Sequence, residues 1–316
     1  MKVLVTGGAG FIGSHLCERL LRSGSEVICL DNFNDSYTPS VKRKNLDCCV
    51  RCSHFRLVKG DILDPEVTDA VMVQEAPEVI VHLAALAGVR GSVLDPLSYV
   101  DTDVKGTVAM LECCRKYGVK KFIFASSSSV YGNSGTPFME ENTPPVQVSP
   151  YAAAKYSGEL FCRTYSHLYG LPVVCLRFFT VYGPRQRPDM AVHTFTRAIV
   201  EGSEIKIFGD GSSTRDYTYA DDVIDGIMSS IDLPCSFETI NLGNSVTTSI
   251  LELVGILESK LGKKAKLSFL PAQPGDVPST CADITKARAL LGYDPKVPLE
   301  EGIGRFVEWY LKMAAG

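Results

Sequence analysis

The sequence predicts a doubly wound α/β fold with a parallel sheet, followed by a smaller C-terminal α/β lobe. Through the first half of the chain, short β-rich runs alternate with helical patterns, and this order requires parallel strands joined by crossover helices. The candidate strands are apolar along their length, as expected for a sheet that is covered on both faces. Beyond about residue 180, Pro- and Gly-rich loops separate shorter elements. We therefore predict a first domain at 1–179 and a second at 180–316, with some segments of the second returning to the sheet.

The individual elements follow from local patterns. A β-rich run at 2–6, a helical pattern at 11–23 and an apolar run at 26–30 form one βαβ unit. Later strand candidates of the same kind lie at 55–59, 79–83, 121–125 and 173–178. In the second lobe we predict a short strand at 205–208 and helices that begin near Ser249, Asp283 and Leu299.

Charge and hydropathy argue against two classes of partner. The 32 Lys and Arg residues against 36 Asp and Glu residues give a net charge of −4, so no basic surplus indicates a nucleic acid or an acidic membrane. The longest nearly unbroken apolar stretch, 79–89, is far shorter than the roughly 18 residues needed to cross a bilayer. We therefore expect no nucleic-acid partner and no membrane span.

The cysteines indicate a reducing compartment. The chain has 11 of them, an odd number without a regular framework, which favours the cytoplasm. Cys48, Cys49, Cys52 and His54 lie close in sequence and could supply ligands to a zinc ion. A second ligand pair at zinc-finger spacing is missing from this segment. We therefore predict no metal site and interpret the segment as a variable loop.

A glycine-rich turn joins the first predicted strand to the first predicted helix. Gly7 permits a tight turn, Gly10 lets backbone amides approach a pyrophosphate, and Gly13 lets the helix pack closely against the strand. The N-terminus of the helix then favours the charge of the phosphates. A merely flexible glycine loop is the alternative interpretation.

Asp31 strengthens the dinucleotide interpretation. It stands at the end of the second predicted strand, where a carboxylate can accept both ribose hydroxyls of an adenosine. Its negative charge would repel a 2′-phosphate, so the predicted cofactor is NAD rather than NADP. The basic residues Lys42, Arg43 and Lys44 follow downstream and weaken this preference.

Tyr151 and Lys155 are candidates for acid–base chemistry. Their spacing places a phenol and an ammonium one helical turn apart on the same face. An ammonium beside a phenol favours the phenolate, as would a positively charged nicotinamide. We therefore predict that Tyr151 serves as a base near neutral pH.

These motifs resemble the extended short-chain dehydrogenase/reductase family, whose Rossmann fold binds NAD. The glycine spacing, the Tyr151 and Lys155 pair and the serine run before Val-Tyr-Gly at 130–132 carry a resemblance that covers nearly the whole chain. It implies that Ser127 completes a Ser-Tyr-Lys catalytic triad. One residue departs from the pattern, because Asp103 stands where relatives usually carry Asn.

The resemblance also implies which residues bind the cofactor. Asp61 and Ile62 would lie beside the adenine, and the segment 83–85 would line the cofactor channel. The predicted NAD-binding residues are Gly7, Gly10, Phe11, Ile12, Gly13, Asp31, Asn32, Asp61, Ile62, Leu83, Ala84, Ala85, Tyr151 and Lys155.

Further segments resemble nucleotide-sugar 4-epimerases. Arg215, within Arg-Asp-Tyr at 215–217, would bind the substrate diphosphate, and Gln273 and Asp276 would bind the nucleoside end. Thr180 and Gln273 stand where UDP-galactose 4-epimerases typically carry Asn and Arg. With Arg187, these positions resemble UDP-glucuronate 4-epimerases, and this resemblance implies UDP-glucuronate as the preferred substrate.

The expected reaction is NAD-dependent C4 epimerisation of UDP-glucuronate to UDP-galacturonate through a transient 4-keto sugar, with Tyr151 accepting the proton of the 4′-hydroxyl. The 4-keto acid is a β-keto acid that loses CO2 readily, so an epimerase must hold its carboxylate still. We predict that Ser128, Thr180 and Arg187 do so, because an Arg fork and hydroxyls suit a carboxylate. The alternative is that Arg187 pairs with Asp189 in a loop and that Thr180 only packs at a strand end.

Three other functions stay open. A 4-epimerase of neutral UDP-sugars, UDP-glucose or UDP-N-acetylglucosamine, would need everything except the carboxylate clamp. A UDP-glucuronate decarboxylase is disfavoured because the run 126–129 contains only serine where such relatives carry an acidic residue. A non-catalytic NAD-binding regulator is disfavoured by the complete Ser-Tyr-Lys set. The resemblance also implies a homodimer formed through the helices around 104–117 and 151–169.

Overall fold

A computed structural model describes residues 1–144, 146–271 and 277–315 of the chain. Numbered in chain order, its strands are β1 (Lys2–Thr6), β2 (Glu26–Asp31), β3 (Phe55–Lys59), β4 (Val79–His82), β5 (Lys121–Ser127), β6 (Val173–Phe178), β7 (Thr180–Tyr182), β8 (Glu204–Phe208), β9 (Thr214–Tyr219), β10 (Phe237–Leu242), β11 (Thr247–Ser249) and β12 (Lys266–Leu270). Its helices are α1 (Phe11–Arg22), α2 (Pro39–Asn45), α3 (Pro65–Glu75), α4 (Val89–Leu94), α5 (Pro96–Tyr99), α6 (Gly106–Tyr117), α7 (Pro150–Tyr169), α8 (Ala191–Glu201), α9 (Ala220–Ile231), α10 (Ile250–Leu261), α11 (Thr285–Leu291) and α12 (Leu299–Ala315). A π-helical turn at Val100–Lys105 joins α5 to α6.

The largest sheet has seven parallel strands in the order β10-β6-β5-β4-β1-β2-β3. The order reverses at β1, which pairs with β2 on one side and with β4 on the other. At such a reversal the connections leave in opposite directions, and a crevice opens outside the carboxyl ends of the strands. Thr6, Asp31 and Ser127 end β1, β2 and β5, so all three lie along this edge.

Apolar clusters cover both faces of the sheet. Val3 and Val5 of β1 lie in one cluster with residues of α1 and α9. Leu4 lies in the opposite cluster with Leu111 of α6, because successive side chains of a strand point to opposite faces. The predicted doubly wound parallel sheet is therefore confirmed. β3 is an exception to the apolar pattern, because it is an edge strand and Leu57 is exposed.

A third apolar cluster forms a lobe beyond residue 180. It joins β8 to α8, α10 and α12 and includes Ile207, Leu253 and Phe306. The strands around it form a three-stranded sheet, β11-β9-β7, and a two-stranded sheet, β12-β8. β10, by contrast, pairs with β6 in the large sheet, and α9 and α11 pack against the first cluster through Ile227 and Ala287. The chain thus crosses between the two lobes more than once after residue 179.

The helices predicted in the second half begin within two residues of the expected positions, at Ile250, Thr285 and Leu299. The Ser249 side chain caps α10 by accepting a hydrogen bond from Glu252 N, and Glu252 bonds back to Ser249 N. This reciprocal pair satisfies two backbone donors that would otherwise lack partners and fixes the start of the helix.

The cysteines are free thiols, all eleven of them. Cys49 is buried in the first apolar cluster with Cys17, whereas Cys48 is exposed. Across 1–144, 146–271 and 277–315, no three His, Cys, Asp or Glu side chains are grouped so as to hold a metal ion. In the same ranges, every helix is too short or too polar to span a bilayer.

Candidate active site

A cleft of about 750 Å³ opens at the carboxyl edge of the large sheet. It is lined by every one of the fourteen residues predicted to bind NAD, and also by Ser127, Ser128, Thr180, Arg187 and Arg215. Gln273 and Asp276 lie outside the described residues. We call the part formed by the glycine turn, Asp31 and Asp61 the nucleotide side, and the part formed by Ser128, Thr180, Arg187 and Arg215 the sugar side.

The glycine turn leaves no room for side chains. Gly7 has a φ of +68°, and a Cβ on it would lie 2.7 Å from Ala84 N. A Cβ on Gly13 would lie 2.3 Å from the Gly7 carbonyl oxygen, so the start of α1 packs directly on the turn. The N-cap Gly10 carries no capping side chain, and the first turn of α1 has no acidic residue. The first backbone N–H groups of α1 therefore suit an anionic group such as a pyrophosphate.

Acidic side chains hold the nucleotide side in shape. Asp31 is 7% exposed, and it accepts hydrogen bonds from Ala9 N at 3.0 Å and from Phe33 N at 2.8 Å. These bonds fix the glycine turn and the loop after β2 relative to each other. Asp61 accepts a bond from the Asn32 side-chain amide at 2.8 Å. A carboxylate at the end of β2 and the helix N-terminus of α1 together fit an adenosine diphosphate moiety.

Two residues of the nucleotide side were missed from the sequence. The Tyr37 hydroxyl is buried and makes no hydrogen bond to the described residues, and burial raises its pKa. Lys42 is buried beside it, 5.0 Å from the centre of the Tyr37 ring, and donates to the Asn34 carbonyl at 2.9 Å. Burial lowers the pKa of Lys42. The basic run at 42–44 was the available signal, but it does not reveal which of its members turns inward.

The candidate catalytic residues approach the cleft from α7 and β5. Ser149 caps α7 by accepting a bond from Ala152 N at 3.1 Å, which places Tyr151 in the first turn and Lys155 one turn later. The Lys155 ammonium lies 5.9 Å from the centre of the Tyr151 ring, and its side chain is only 5% exposed. Ser127 ends β5, and its hydroxyl accepts a bond from Ser129 N at 3.1 Å. The structure thus brings the predicted phenol, ammonium and hydroxyl to one cleft.

A second tyrosine, Tyr99 of α5, borders Tyr151. The two rings meet edge to face with their centres 6.1 Å apart, and the Tyr99 hydroxyl donates to the Gly88 carbonyl at 3.0 Å. Burial raises the pKa of Tyr99 to about 12. This neighbour could not be predicted, because α5 is distant from α7 in the sequence and no motif surrounds it.

Asp103, the departure noted in the sequence, is buried next to the candidate catalytic lysine. Its Oδ1 accepts a hydrogen bond from Leu86 N at 2.7 Å, and its Oδ2 lies 3.7 Å from Lys155 Nζ. The carboxylate therefore holds the loop after β4 in place. An accepting oxygen is present at this position despite the change from Asn.

On the sugar side, Arg187 lines the cleft but is already engaged. Its Nε and Nη2 donate to the Asp189 carboxylate at 3.1 Å and 2.7 Å, and Nη2 also donates to the Ala87 carbonyl at 3.1 Å. The pairing of Arg187 with Asp189, weighed above as an alternative, is thus present. Asp189 is itself exposed, so a ligand carboxylate could exchange with it for the guanidinium.

Of the Arg-Asp-Tyr segment, only Arg215 lines the cleft. Asp216 is fully buried and accepts bonds from the backbone N–H groups of Asn244, Ser245 and Ala282. Burial raises the pKa of Asp216. Tyr217 is buried in the third apolar cluster. Within this segment, Arg215 therefore lies at the cleft, whereas the side chains of Asp216 and Tyr217 are packed inside the protein.

Comparison with known proteins agrees with this architecture. The family described as "NAD dependent epimerase/dehydratase family" matches residues 3–243. A UDP-glucuronate 4-epimerase of Thermodesulfobacterium geofontis is 43% identical over 307 residues, which cover 97% of this chain and 95% of that protein. The crystal structure of UDP-glucuronic acid 4-epimerase from Bacillus cereus, in complex with UDP-glucuronic acid and NAD, is 40% identical with a TM-score of 0.94, covering 99% of this chain and 100% of the other.

A UDP-glucose 4-epimerase structure from Thermotoga maritima, with UDP-glucose, is also similar, at 37% identity and a TM-score of 0.92, covering 99% of this chain and 100% of the other. The doubly wound sheet and the glycine turn define a dinucleotide-binding protein of the extended short-chain dehydrogenase/reductase type. The chain belongs to the NAD dependent epimerase/dehydratase family.

Proposed function

We propose that this protein is an NAD-dependent UDP-glucuronate 4-epimerase that forms UDP-galacturonate through a transient 4-keto sugar. The observation that carries the proposal is one continuous cleft that joins the glycine turn to Tyr151 and Lys155 and then to Arg187. The similarity to UDP-glucuronate 4-epimerases over almost the whole chain supports the same substrate.

NAD would be held by the glycine turn, by Asp31 and by the loop at 83–85, all of which line the cleft. The fit rests on the absence of a side chain at Gly7 and Gly13 and on the first turn of α1, which has neither a capping side chain nor an acidic residue. When bound, NAD supplies the reversible oxidation at C4 and is regenerated in each cycle. The carboxylate of Asp31 favours an unphosphorylated ribose.

The residues of α7 and β5 would move and direct the proton. Tyr151 is assigned as the base that accepts the proton of the 4′-hydroxyl and later returns it. Lys155, next to the ring, stabilises the phenolate form by its charge. Ser127, at the end of β5, orients the sugar hydroxyl within the same cleft.

The sugar side would hold the carboxylate of the substrate. If the C5–C6 bond of the 4-keto acid aligned with the carbonyl π system, CO2 would be lost. A bidentate guanidinium from Arg187, with hydroxyls from Ser128 and Thr180, holds the carboxylate so that the C5–C6 bond does not reach this alignment. Arg215 is assigned to the diphosphate. Gln273 and Asp276 are assigned to the nucleoside end by the sequence resemblance alone.

A 4-epimerase of neutral UDP-sugars is the second candidate. The observation that favours it is the Asp189 carboxylate, which already satisfies Arg187 and so removes part of its attraction for an acidic sugar. The similarity to a UDP-glucose 4-epimerase supports the same alternative.

Comparison of UDP-glucuronate, UDP-glucose and UDP-N-acetylglucosamine, with products identified by NMR, tests the proposal. We expect UDP-galacturonate from the first and a value of kcat/KM at least about tenfold lower for the neutral sugars, because an unmatched charge-assisted hydrogen bond costs about 1.5–3 kcal/mol. Preference for a neutral sugar would establish the alternative. Release of CO2 with a UDP-pentose would identify a decarboxylase.

The wider organisation is proposed on similar grounds. Residues 1–179, with the returning β10, α9 and α11, would bind NAD, and the rest of 180–316 would bind mainly the UDP-sugar.

Exposed apolar side chains on the helices between 89 and 169, among them Leu94, Leu97, Leu160 and Phe161, support a homodimer. Eleven free thiols support a reducing location such as the cytoplasm.

A further inference from the structure

Asp103 is a buried carboxyl group that the proposed reaction does not use. It lies on the π-helical turn between α5 and α6, and its side chain is completely buried. While Oδ1 is bonded to Leu86 N, Oδ2 makes no hydrogen bond to any described residue. That oxygen is 3.7 Å from the ammonium of Lys155, whose side chain is also buried. The unsatisfied oxygen thus faces the lysine that lies beside Tyr151.

Two opposite charges buried at this distance depend on each other. Removing one of them leaves the other unpaired in surroundings that disfavour charge. Burial raises the pKa of Asp103, and the charge of Lys155 opposes that rise. An Asn at this position could still accept the bond from Leu86 N but would carry no charge. Asp103 therefore changes the electrostatics of the site while keeping its shape.

We propose that Asp103 is a positioning residue that forms a buried ion pair with Lys155 and so sets the pH range in which Tyr151 accepts a proton. The effect on the rate rests on the proposed function. Because the carboxylate offsets part of the ammonium charge, the phenolate of Tyr151 is stabilised less than it would be beside a lone lysine. In a plot of kcat/KM against pH, the acidic limb is the part in which the rate rises with pH as Tyr151 loses its proton. This limb therefore lies at higher pH than it would with Asn at position 103.

Other titratable groups around the ion pair keep their charge state near neutral pH. Burial, with a smaller contribution from Lys155, lowers the pKa of His82 on β4 to about 3, so this ring stays neutral. Burial raises the pKa of Tyr99 on α5 to about 12, so that phenol stays protonated. Arg187 and Asp189, across the cleft, form an ion pair. The pH dependence of the rate is therefore attributed to Asp103, Lys155 and Tyr151.

Asp103→Asn tests the proposal, with Asp101→Asn as the matched control. The control removes the same charge from an exposed side chain two positions away, where solvent screens it. We expect Asp103→Asn to move the acidic limb of kcat/KM down by about one pH unit, which is a tenfold change at a fixed pH on that limb. Asp101→Asn should leave the limb in place, and calorimetry should find NAD affinity unchanged in both. An unmoved limb, or one moved upward, overturns the proposal.

Infrared spectroscopy tests the ion pair without using activity. We expect the carbonyl band of one additional protonated carboxyl group in Lys155→Met relative to the wild type, because the unpaired carboxylate takes up a proton. Lys155→Arg keeps the cation and should not show the band. Equal spectra for all three proteins, or the band in Lys155→Arg as well, would overturn the ion pair. If the wild type converts no UDP-sugar, the proposed function fails, while the infrared measurement still shows whether Asp103 and Lys155 form the ion pair.

Discussion

The two ends of the cleft are built in different ways. On the nucleotide side, backbone atoms define the surface: Gly7 and Gly13 touch main chain, and Asp31 is fixed by two backbone N–H groups. On the sugar side, polar and charged side chains define the surface, and Arg187 is held by the carboxylate of Asp189. The nucleotide side is therefore held in shape by contacts within the protein itself, whereas we propose that on the sugar side an acidic sugar replaces the Asp189 carboxylate at Arg187.

This difference predicts two kinds of response to mutation. A larger residue on the nucleotide side would clash with closely packed backbone, so it should reduce NAD affinity strongly. Activity should then fall equally with every UDP-sugar. A change on the sugar side removes one of several polar contacts, so it should alter the choice among sugars by smaller factors. Tyr151 lies between the two sides and should affect catalysis without affecting either binding step.

The largest effect is expected for Tyr151→Phe. Loss of the hydroxyl removes the proposed proton acceptor, so kcat should fall by roughly a thousandfold. Retained NAD and UDP-glucuronate affinity, measured by calorimetry, would place the defect in the chemical step. Tyr169→Phe, at the exposed end of the same helix, is the control and should be fully active. Substantial activity in Tyr151→Phe would assign the proton transfer to another group.

The next effect in size is expected for Gly13→Ala. The added Cβ would lie 2.3 Å from the Gly7 carbonyl oxygen, so the turn must shift. Overpacking of this kind costs about 1–3 kcal/mol, and we expect NAD affinity to fall at least about tenfold by calorimetry. Gly255→Ala in α10 meets no atom within 4 Å and should bind NAD as the wild type does. Equal affinities for the two variants would mean that the turn does not carry the cofactor.

Arg187→Ala should have a smaller and more selective effect. We expect KM for UDP-glucuronate to rise about tenfold, with little change for UDP-glucose, because one charge-assisted contact is lost. Asp189→Asn should act in the opposite direction and lower KM for UDP-glucuronate by about threefold, since it frees the guanidinium. Parallel changes for both sugars in steady-state assays would remove Arg187 from carboxylate recognition.

Much of this architecture could be predicted from local sequence patterns. Short apolar runs that alternate with helical patterns predict the parallel sheet. The spacing of the glycines predicts the turn, because the backbone packs too closely there for larger residues. Most of the predicted cofactor residues follow β1 to β4, whose carboxyl ends meet at one edge of the parallel sheet, whereas Tyr151 and Lys155 reach the cleft from α7. The residues that determine each of these features lie near one another in the sequence, so a local pattern is enough to predict them.

The remaining features depend on contacts between distant segments. The placement of Tyr99 beside Tyr151 and of Asp103 beside Lys155 results from packing of α5 and the π-helical turn against α7. The inward orientation of Lys42, rather than its basic neighbours, is set by the loop at 34–37. The burial of Asp216 has the same origin, because only the tertiary structure shows that backbone donors surround it.

NMR of the product formed from UDP-glucuronate in D2O tests the central claim most directly. If Tyr151 and the bound cofactor act on C4 alone, the hydrogen removed from C4 returns to the same carbon. We therefore expect UDP-galacturonate with protium at both C4 and C5 and with its carboxylate intact. Deuterium at C5, or a UDP-pentose in place of UDP-galacturonate, would contradict the account.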